Sequence, residues 1–153
     1  MNNLKLIITL MLCLLMIACG GSRELRDIQP RLELTQLEIM GERARLSLRV
    51  QNPNDILITG GQLEFQLHID EKLFAIYNGH PMIDIIANSA EEIRVDVRVL
   101  GLRTLENLLA MESRSDSMSW GIMGSLVLNQ KIQPGFNIKG RLSPIPGTSN
   151  IFR

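Results

Sequence analysis

The sequence predicts an all-β protein, an antiparallel β-sandwich of about seven or eight short strands with one short helix. The main observation is three runs of alternating apolar and polar residues, because a period of two is typical of strands buried on one face. Turn residues recur between such runs about every 8–12 residues, which favours a sandwich. A closed barrel is the alternative arrangement. The 45% apolar content and the balanced charge argue against a disordered chain.

The three alternating runs span residues 43–50, 62–70 and 93–99. Polar and charged residues occupy every second position, so we expect the other face of each strand to meet solvent. The third run is rich in β-branched residues, which favour strands. The predicted core face consists of Ala44, Leu46, Leu48, Val50, Leu63, Phe65, Leu67, Ile69, Ile93, Val95, Val97 and Val99.

Shorter strands are predicted around these runs. The apolar residues of 31–40 change phase midway, so we expect a strand with a bulge near Thr35. Residues 73–77 and 82–86 lie on either side of 78–81, Asn-Gly-His-Pro, whose composition is typical of a turn. Two later strands are predicted from the apolar positions Trp120, Ile122, Leu126, Leu128, Ile138 and Leu142.

The segment after the third run differs, because its leucines recur at helical spacing. It predicts a short amphipathic helix between Gly101 and Glu112 that covers a sheet edge or a barrel end. Residues 113–119 are predicted to be a polar connector, and residues 147–153 a frayed end. The predicted buried face of the helix consists of Leu102, Leu105, Leu108 and Leu109.

The N-terminal residues have the layout of a secretory signal peptide. Lys5 gives a short positive head, and the stretch from Leu6 to Ile17 is apolar apart from Thr9. This stretch is too short to span a bilayer, which takes roughly 20 apolar residues. The end of this stretch overlaps the tetrapeptide Met16-Ile17-Ala18-Cys19, which is followed by Gly20-Gly21-Ser22.

The tetrapeptide Met16-Ile17-Ala18-Cys19 resembles a bacterial lipobox, in which the cysteine is acylated and becomes the mature N-terminus. The resemblance implies a signal peptide at 1–18, then the lipidated Cys19 and a tether at 19–30. An ordinary signal peptide with an incidental cysteine is the alternative. Gly20 stands where inner-membrane retention in enterobacteria typically uses Asp. The lipobox resemblance implies a lipid-anchored protein of the bacterial cell envelope, and by the analogy at Gly20 we expect it on the periplasmic face of the outer membrane.

Charge, cysteines and motifs narrow the class of function. The chain has 16 basic and 16 acidic residues, and nothing suggests the basic patch of a nucleic-acid-binding protein. Cys13 falls inside the predicted signal peptide, so an acylated Cys19 leaves no thiol or disulfide in the mature chain. His68 and His80 are too few to predict a metal site, and the sequence contains no nucleophile motif, carboxylate pair or phosphate loop. We therefore expect no catalytic residue, no metal and no cofactor.

The tripeptide Asn52-Pro53-Asn54 follows the first alternating run. Proline excludes the helical conformation at the preceding residue, and asparagine side chains can bond neighbouring backbone amides. The tripeptide is therefore a suitable strand terminator, and the alternative is that it contacts a partner. It is followed in order by an apolar stretch, an alternating strand, and the segments Leu73–Gly79, Ile85–Asn88 and 93–99.

This arrangement closely resembles the late embryogenesis abundant type 2 family, also called the water stress and hypersensitive response (WHy) domain, over residues 31–143. The resemblance implies an immunoglobulin- or fibronectin-III-like β-sandwich with a helix, followed here by a C-terminal tail at 144–153. It also implies a non-enzymatic role in protection against desiccation, cold or related stress. Members on bacterial envelopes are similar in pairing a lipobox with a single such domain.

Two further features each have two interpretations. Trp120 is either a core residue or a platform for a ligand. The arginines on the outer faces of two strands either form a basic stripe for lipid phosphates or lipopolysaccharide, or pair across strands with Glu64 and Asp96. These arginines are Arg43, Arg45, Arg49, Arg94 and Arg98.

Three functions remain open. The first is a lipid-anchored stress-protection domain, and the second is a structural or accessory lipoprotein that docks an envelope complex through a strand edge or the helix. The third is a lipid-binding sandwich with an apolar cavity lined by Leu63, Phe65 or Val97. We expect a monomer that is attached to the membrane through Cys19, contacts client or envelope proteins, and binds no nucleic acid.

Overall fold

The computed structural model describes residues 30–112, 117–129, 131–132 and 135–153. The predicted signal peptide 1–18, Cys19 and all but the last residue of the tether 19–30 lie outside the described residues. In the described part, no helix has the length and apolar content needed to cross a membrane. Its elements are β1 (Arg31–Met40), β2 (Arg43–Gln51), β3 (Ile58–Ile69), β4 (Lys72–Gly79), β5 (Ile83–Ile85), β6 (Ala90–Arg98), α1 (Leu102–Glu112), β7 (Met118–Leu128), β8 (Lys131–Ile132), β9 (Phe136–Leu142) and β10 (Ile151–Phe152).

The strands form two antiparallel sheets. The first sheet has the order β10-β1-β2-β6. In the second sheet β3 and β7 are central: β4 and β5 pair with the outer side of β3, and β8 and β9 pair with the outer side of β7. The sheets do not close on each other, so the predicted β-sandwich is confirmed and the barrel alternative is wrong.

The core lies between the two sheets and has the composition that the alternation predicts. Every side chain of the predicted core face on β2, on β3 and on β6 with the adjoining Val99 is buried. Successive side chains of a strand point to opposite faces, so the charged positions of the same runs point outward. The strand phase predicted for all three runs is confirmed.

β1 contains the predicted bulge. The β1–β2 register shifts between Leu34 and Gln36, and the Thr35 hydroxyl donates a 3.1 Å hydrogen bond to the Ser47 carbonyl. The extra residue allows Leu34 and Leu37, three positions apart, to point into the same core. Ser47 is buried beside this bulge although the alternation places it on the outer face.

The turn predicted at residues 78–81 is wrong. Asn78 and Gly79 continue β4, and β4 and β5 both pair with β3 instead of with each other. β4 lies opposite residues 63–69 of β3 and β5 opposite residues 58–60, so they lie in line along one side of β3. Pro81 lacks the N–H that a ladder needs, and here it falls between two paired segments without reversing the chain.

α1 forms where the leucine spacing predicts a helix, but its buried face is different. Leu108 and Thr104 are buried, whereas Leu102 and Leu109 are 59% and 40% exposed. The helix lies against β4, an edge strand, as expected of a helix that covers a sheet edge. Leucines that are three and four residues apart can belong to either of two overlapping faces of one helix. Which of these faces is buried depends on how the helix packs against the sheet.

The polar connector predicted at 113–119 ends earlier than expected. Residues 113–116 lie outside the described residues, and Met118 is already the first residue of β7. Its side chain is fully buried, on the same face as Trp120 and Ile122. A single apolar residue among serines gives too little pattern to predict a strand start.

The C-terminal residues 144–153, predicted to be a tail with a frayed end, are part of the fold. β10 pairs with β1, with Phe152 opposite Leu37, and the side chain of Phe152 is fully buried. Arg153 and Ser143 exchange two backbone hydrogen bonds, of 2.8 and 2.9 Å. A strand of two residues has no detectable period, so the sequence pattern misses it.

We expect Phe152→Ala to lower the free energy of unfolding by about 3–5 kcal/mol, because it empties a fully buried aromatic site. Ile151→Ala is the matched control, since Ile151 belongs to the same short strand and is only half-buried. Chemical denaturation monitored by circular dichroism gives both values. A loss no greater for Phe152→Ala than for Ile151→Ala would mean that the C-terminus is detached from the core.

Candidate functional site

The Asn52-Pro53-Asn54 motif lies where the chain passes from the first sheet to the second. Asn52 directly follows β2, and residues 52–57 lead into β3. Pro53 keeps the preceding residue out of the helical region and cannot donate to a ladder, so the strand ends here. We call this end of the molecule the base: β1, β3 and β6 begin there, at Arg31, Ile58 and Ala90, and β2, β5 and β7 end there, at Gln51, Ile85 and Leu128.

The side chain of Asn52 is completely buried, and all its polar atoms are hydrogen-bonded. Its Nδ2 donates to the Ile56 carbonyl at 2.7 Å and to the Ile85 and Ile86 carbonyls, each at 3.1 Å. Its Oδ1 accepts from the backbone N–H of Asn54 at 3.0 Å and from the Asn54 side chain at 3.2 Å. One amide therefore satisfies backbone groups of two separate segments, the loop 52–57 and the end of β5, which removes the cost of leaving them unpaired.

Backbone hydrogen bonds complete the same network. The N–H of Asn52 donates to the Ser89 carbonyl at 2.8 Å, and the N–H of Asn88 donates to the Asn54 carbonyl at 2.9 Å. Ser89 also caps the segment, since its hydroxyl donates to the Ile86 carbonyl at 2.8 Å. Asn88 adopts a positive φ of 55°, a conformation that asparagine tolerates better than most residues. The loop 86–89 between β5 and β6 is therefore fixed to the motif.

These contacts decide between the two interpretations of the motif for its first residue. Asn52 has no exposed surface and no spare hydrogen-bonding group, so it acts as a strand terminator and does not meet a partner. Pro53 is exposed and Asn54 is half-buried, so these two residues are accessible at the base. The strand-terminator role is therefore supported for Asn52, and partner contact stays an alternative for Pro53 and Asn54.

A second asparagine at the base was not singled out in the sequence. The N–H and the Oδ1 of Asn129 bond to the backbone of Thr59 at 2.6 and 2.8 Å, and its Nδ2 donates to the Leu57 carbonyl at 3.4 Å. Asn129 has a positive φ of 49° and directly follows β7. An asparagine after an apolar strand is a turn signal, and this signal could have located the end of β7.

The outer face of the first sheet carries the predicted arginines, and β2 and β6 are neighbours. Arg45 contacts Asp96 at 2.8 Å, so the predicted pairing with Asp96 is confirmed. The pairing predicted with Glu64 is wrong, because Glu64 lies on β3 in the other sheet, opposite Asn78 and Ser125. Glu38 and Glu33 of β1 lie opposite Arg45 and Arg49, and Glu92 of β6 contacts Arg94. The face is a mixture of both signs and not a basic stripe.

The Arg45–Asp96 pair perturbs the titration of both groups. The hydrogen bond from Arg45, and then its charge, lower the pKa of the Asp96 carboxyl, and Asp96 raises the pKa of Arg45. A lowered carboxyl pKa contributes stability above the pKa of the unfolded chain, and this contribution is lost as pH falls through the folded pKa. Both side chains are largely exposed, so the contribution to stability is small.

The histidines and the tryptophan lie apart from the motif. The described residues contain no group of three His, Cys, Asp or Glu side chains placed to hold a metal ion. His68 lies on the outer face of β3, opposite Gly121, and His80 is exposed beyond β4. Trp120 is 7% exposed, so its interpretation as a core residue is confirmed. Its ring lies over Gly140 on β9, where an added Cβ would stand 2.5 Å from a ring carbon, so only glycine fits there.

Two cavities open on the outer face of the second sheet. One has a volume of 410 Å³ and is lined by Gln66, Ile76 and Met123 among others, and the other, of 390 Å³, lies between His68 and Lys139. Neither lies between the sheets. Leu63, Phe65 and Val97, which were predicted to line an apolar cavity in a lipid-binding sandwich, are packed in the core, and of these three Phe65 also lines the first cavity.

No family model matches the chain, and no curated protein matches its sequence. Among solved structures, the solution structure of AT1g01470 from Arabidopsis thaliana matches with a TM-score of 0.56 at 14% identity, over 84% of this chain and 91% of that chain. The crystal structure of a protein from Archaeoglobus fulgidus matches with a TM-score of 0.48 at 7% identity, over 76% of this chain and 98% of that one. At 14% identity, the likeness to the Arabidopsis protein shows a shared fold alone.

We expect Asn52→Ala to lower the free energy of unfolding by about 2–4 kcal/mol, because it removes the hydrogen bonds to the carbonyls of Ile56, Ile85 and Ile86 and the acceptor of the Asn54 backbone N–H. Asn54→Ala is the matched control: it loses one side-chain bond and keeps the backbone N–H that Asn52 accepts, so a loss under about 1 kcal/mol is expected. Urea denaturation of both variants gives the comparison. Similar losses for the two variants would show that the Asn52 amide does not join the segments.

Proposed function

We propose that this protein is a non-catalytic, lipid-anchored component of the bacterial cell envelope with a domain of the late embryogenesis abundant type 2 (WHy) kind. Its role would be to protect proteins or the envelope during desiccation, cold or other stress. Acylated Cys19 would attach it to the periplasmic face of the outer membrane. The observation that carries the proposal is the Asn52-Pro53-Asn54 loop, which crosses between the sheets of a β-sandwich.

The order of features along the chain supports the family assignment. A lipobox-like segment precedes a single sandwich, and the motif stands directly after the first of the alternating strands. The sandwich with one short helix is the architecture that the resemblance to the WHy domain implies. The resemblance concerns residues 31–143, and the fold that they form also includes β10 at the C-terminus.

The surface of the first sheet supports a protective role as a folded domain. Its outer face alternates arginines with Glu33, Glu38, Glu92 and Asp96, so it is strongly hydrated and nearly neutral in sum. β6 is an edge strand of this sheet, and its outward side chains carry charges of both signs, which discourages pairing with another strand. Such a surface keeps a domain soluble when water becomes scarce and its neighbours aggregate.

A second candidate function is that of an accessory lipoprotein that docks an envelope complex. The outer face of the second sheet favours it, because Ile76 and Met123 are 50% and 44% exposed and lie on either side of Gln66. Exposed apolar side chains on a sheet face are typical of a contact surface. The two candidate functions differ in the partner that they require. A protective domain would act on clients of any identity, whereas an accessory lipoprotein would bind one fixed partner.

The protective role is tested by drying or freezing a reporter enzyme with this protein and measuring the activity that survives. We expect more surviving activity than with an equal mass of albumin, which controls for the general effect of added protein. Val97→Asp, which places an unpaired charge at a buried core position and is expected to unfold the domain, controls for the requirement that the domain be folded. Survival no better than with albumin would reject the protective role, and crosslinking in cells would then seek the fixed partner of the second candidate.

We expect Cys19→Ser to release the protein from the membrane without changing its thermal melt, because Cys19 precedes the fold by the length of the tether. Detergent phase partitioning and fractionation of cells measure the release. Cys13→Ser is the matched control, since that residue falls inside the predicted signal peptide. An unchanged membrane fraction for Cys19→Ser would contradict lipid anchoring at this residue.

A further inference from the structure

Two exposed apolar side chains stand side by side at the base. Leu57 and Ile86 are 51% and 67% exposed. Leu57 directly precedes Ile58 and Ile86 directly follows Ile85, and Ile58 and Ile85 are paired between β3 and β5. The Asn52 amide also binds the carbonyls of Ile56 and Ile86, at 2.7 and 3.1 Å. The exposed ring of Pro53 belongs to the same loop. Apolar groups gathered at one end of a sandwich mark a contact surface more clearly than the same groups scattered singly.

These side chains are presented by a fixed backbone. The segment around Ile86 is held by the Asn52 amide and the Ser89 hydroxyl, and the Leu57 carbonyl accepts from Asn129. Turning either apolar side chain inward would break these hydrogen bonds, of which the bond from the buried Asn52 amide to the Ile86 carbonyl is part-buried. The hydrogen bonds of the base therefore hold Leu57 and Ile86 in exposed positions.

The chain that leads to the predicted anchor enters the fold at this same end. β1 begins at Arg31, which pairs with Gln51, the residue directly before Asn52. Ten residues lie between Cys19 and Pro30, and a chain of that length spans at most roughly 40 Å when fully extended. Of all surfaces of the sandwich, the base has the shortest path to a lipid on Cys19.

We propose that the base rests on the lipid bilayer, with Leu57 and Ile86 inserted among the headgroups of the leaflet that holds the anchor. This inference rests on the proposed acylation of Cys19. Two side chains are too few to hold a protein on a membrane alone, but a tether raises their effective concentration at the surface. The contact therefore orients a domain that the lipid already retains.

The charges at the base decide which lipids fit. Asp55, Asp84 and Glu91 are exposed residues at or beside the base. Arg31 is also exposed there, and Lys131 of β8 lies opposite Leu128 at the same end, so the excess charge there is negative. An acidic rim is repelled by anionic headgroups, so the contact is apolar and suits a zwitterionic surface such as phosphatidylethanolamine or phosphatidylcholine. This differs from attraction of a basic stripe to lipid phosphates, which the mixed charges of the first sheet do not support.

The orientation leaves the two sheet faces free. Gln66, opposite Ile76, is eight residues beyond Ile58 in β3, which places it roughly 26 Å above the base at about 3.3 Å per residue. α1 is at the far end, after β6 has run the length of the sandwich away from the base. Clients or partners would therefore meet the sheet faces and the helix end, and the motif loop would face lipid.

The test uses the full, lipidated protein reconstituted into phosphatidylcholine vesicles that contain acyl chains brominated near the headgroup. Leu57→Trp and Ile86→Trp report contact with lipid through fluorescence quenching. Ile76→Trp is the matched control, since Ile76 is similarly exposed but stands far above the base. The signal of the native Trp120, common to all variants, is subtracted using the parent protein. We expect several-fold more quenching at positions 57 and 86 than at position 76, and less when phosphatidylglycerol is added.

Mass spectrometry of the same preparation records whether Cys19 is acylated, so the anchor and the base contact are read separately. In an acylated chain, equal quenching at the three positions overturns the lipid contact and leaves the anchor intact. An unacylated Cys19 overturns the anchor and, with it, this inference. Thermal melts of the three variants confirm that each is folded, and the exposed location of all three positions makes such folding the expected result.

Discussion

The arrangement of the two sheets at the base depends on one buried side-chain amide, that of Asn52. Apolar contact holds the sheets together, but it is non-directional and does not specify which strand ends meet. Hydrogen bonds of a buried amide do specify this, because a shifted partner leaves an unpaired polar group in the interior. Asn52 joins the end of β2 to the end of β5 and to the entry of β3. The loops 52–57 and 86–89 are fixed to each other through that joint.

The sandwich consequently has three unlike surfaces. The outer face of the first sheet is densely charged with both signs, whereas that of the second has open cavities and the exposed Ile76 and Met123. The base is different again, with apolar side chains inside an acidic rim. Protection of clients and docking of a partner both need an accessible face, and the second sheet offers one. The charged face contributes solubility in either case.

The sequence predicts the parts of this fold whose pattern is local and repeated. Three alternating runs give the correct strands, phase and core, because burial on one face imposes a period of two. Phe152 is missed because its strand is too short to show a period, and residues 78–81 mislead because turn composition does not say which strands pair. The predicted pairing of Glu64 with the arginines is wrong for the same reason. Alternation shows which face of a strand a residue occupies, but it does not show which strand lies next to it. The burial of the motif's asparagine depends on three segments meeting, which no local pattern records.

The contacts of the motif therefore explain the architecture of the domain and do not by themselves indicate its function. In this chain Asn52 satisfies three carbonyls with one side chain at the crossing between the sheets. Proteins with different activities can share a fold and therefore the same structural need. What separates a protective domain from a docking module is the surface that remains exposed once the base is fixed. If lipid covers the base, the accessible surface is reduced to the sheet faces and the helix end. If the proposed anchor is present, the orientation of the domain on it determines which of these surfaces a partner can reach.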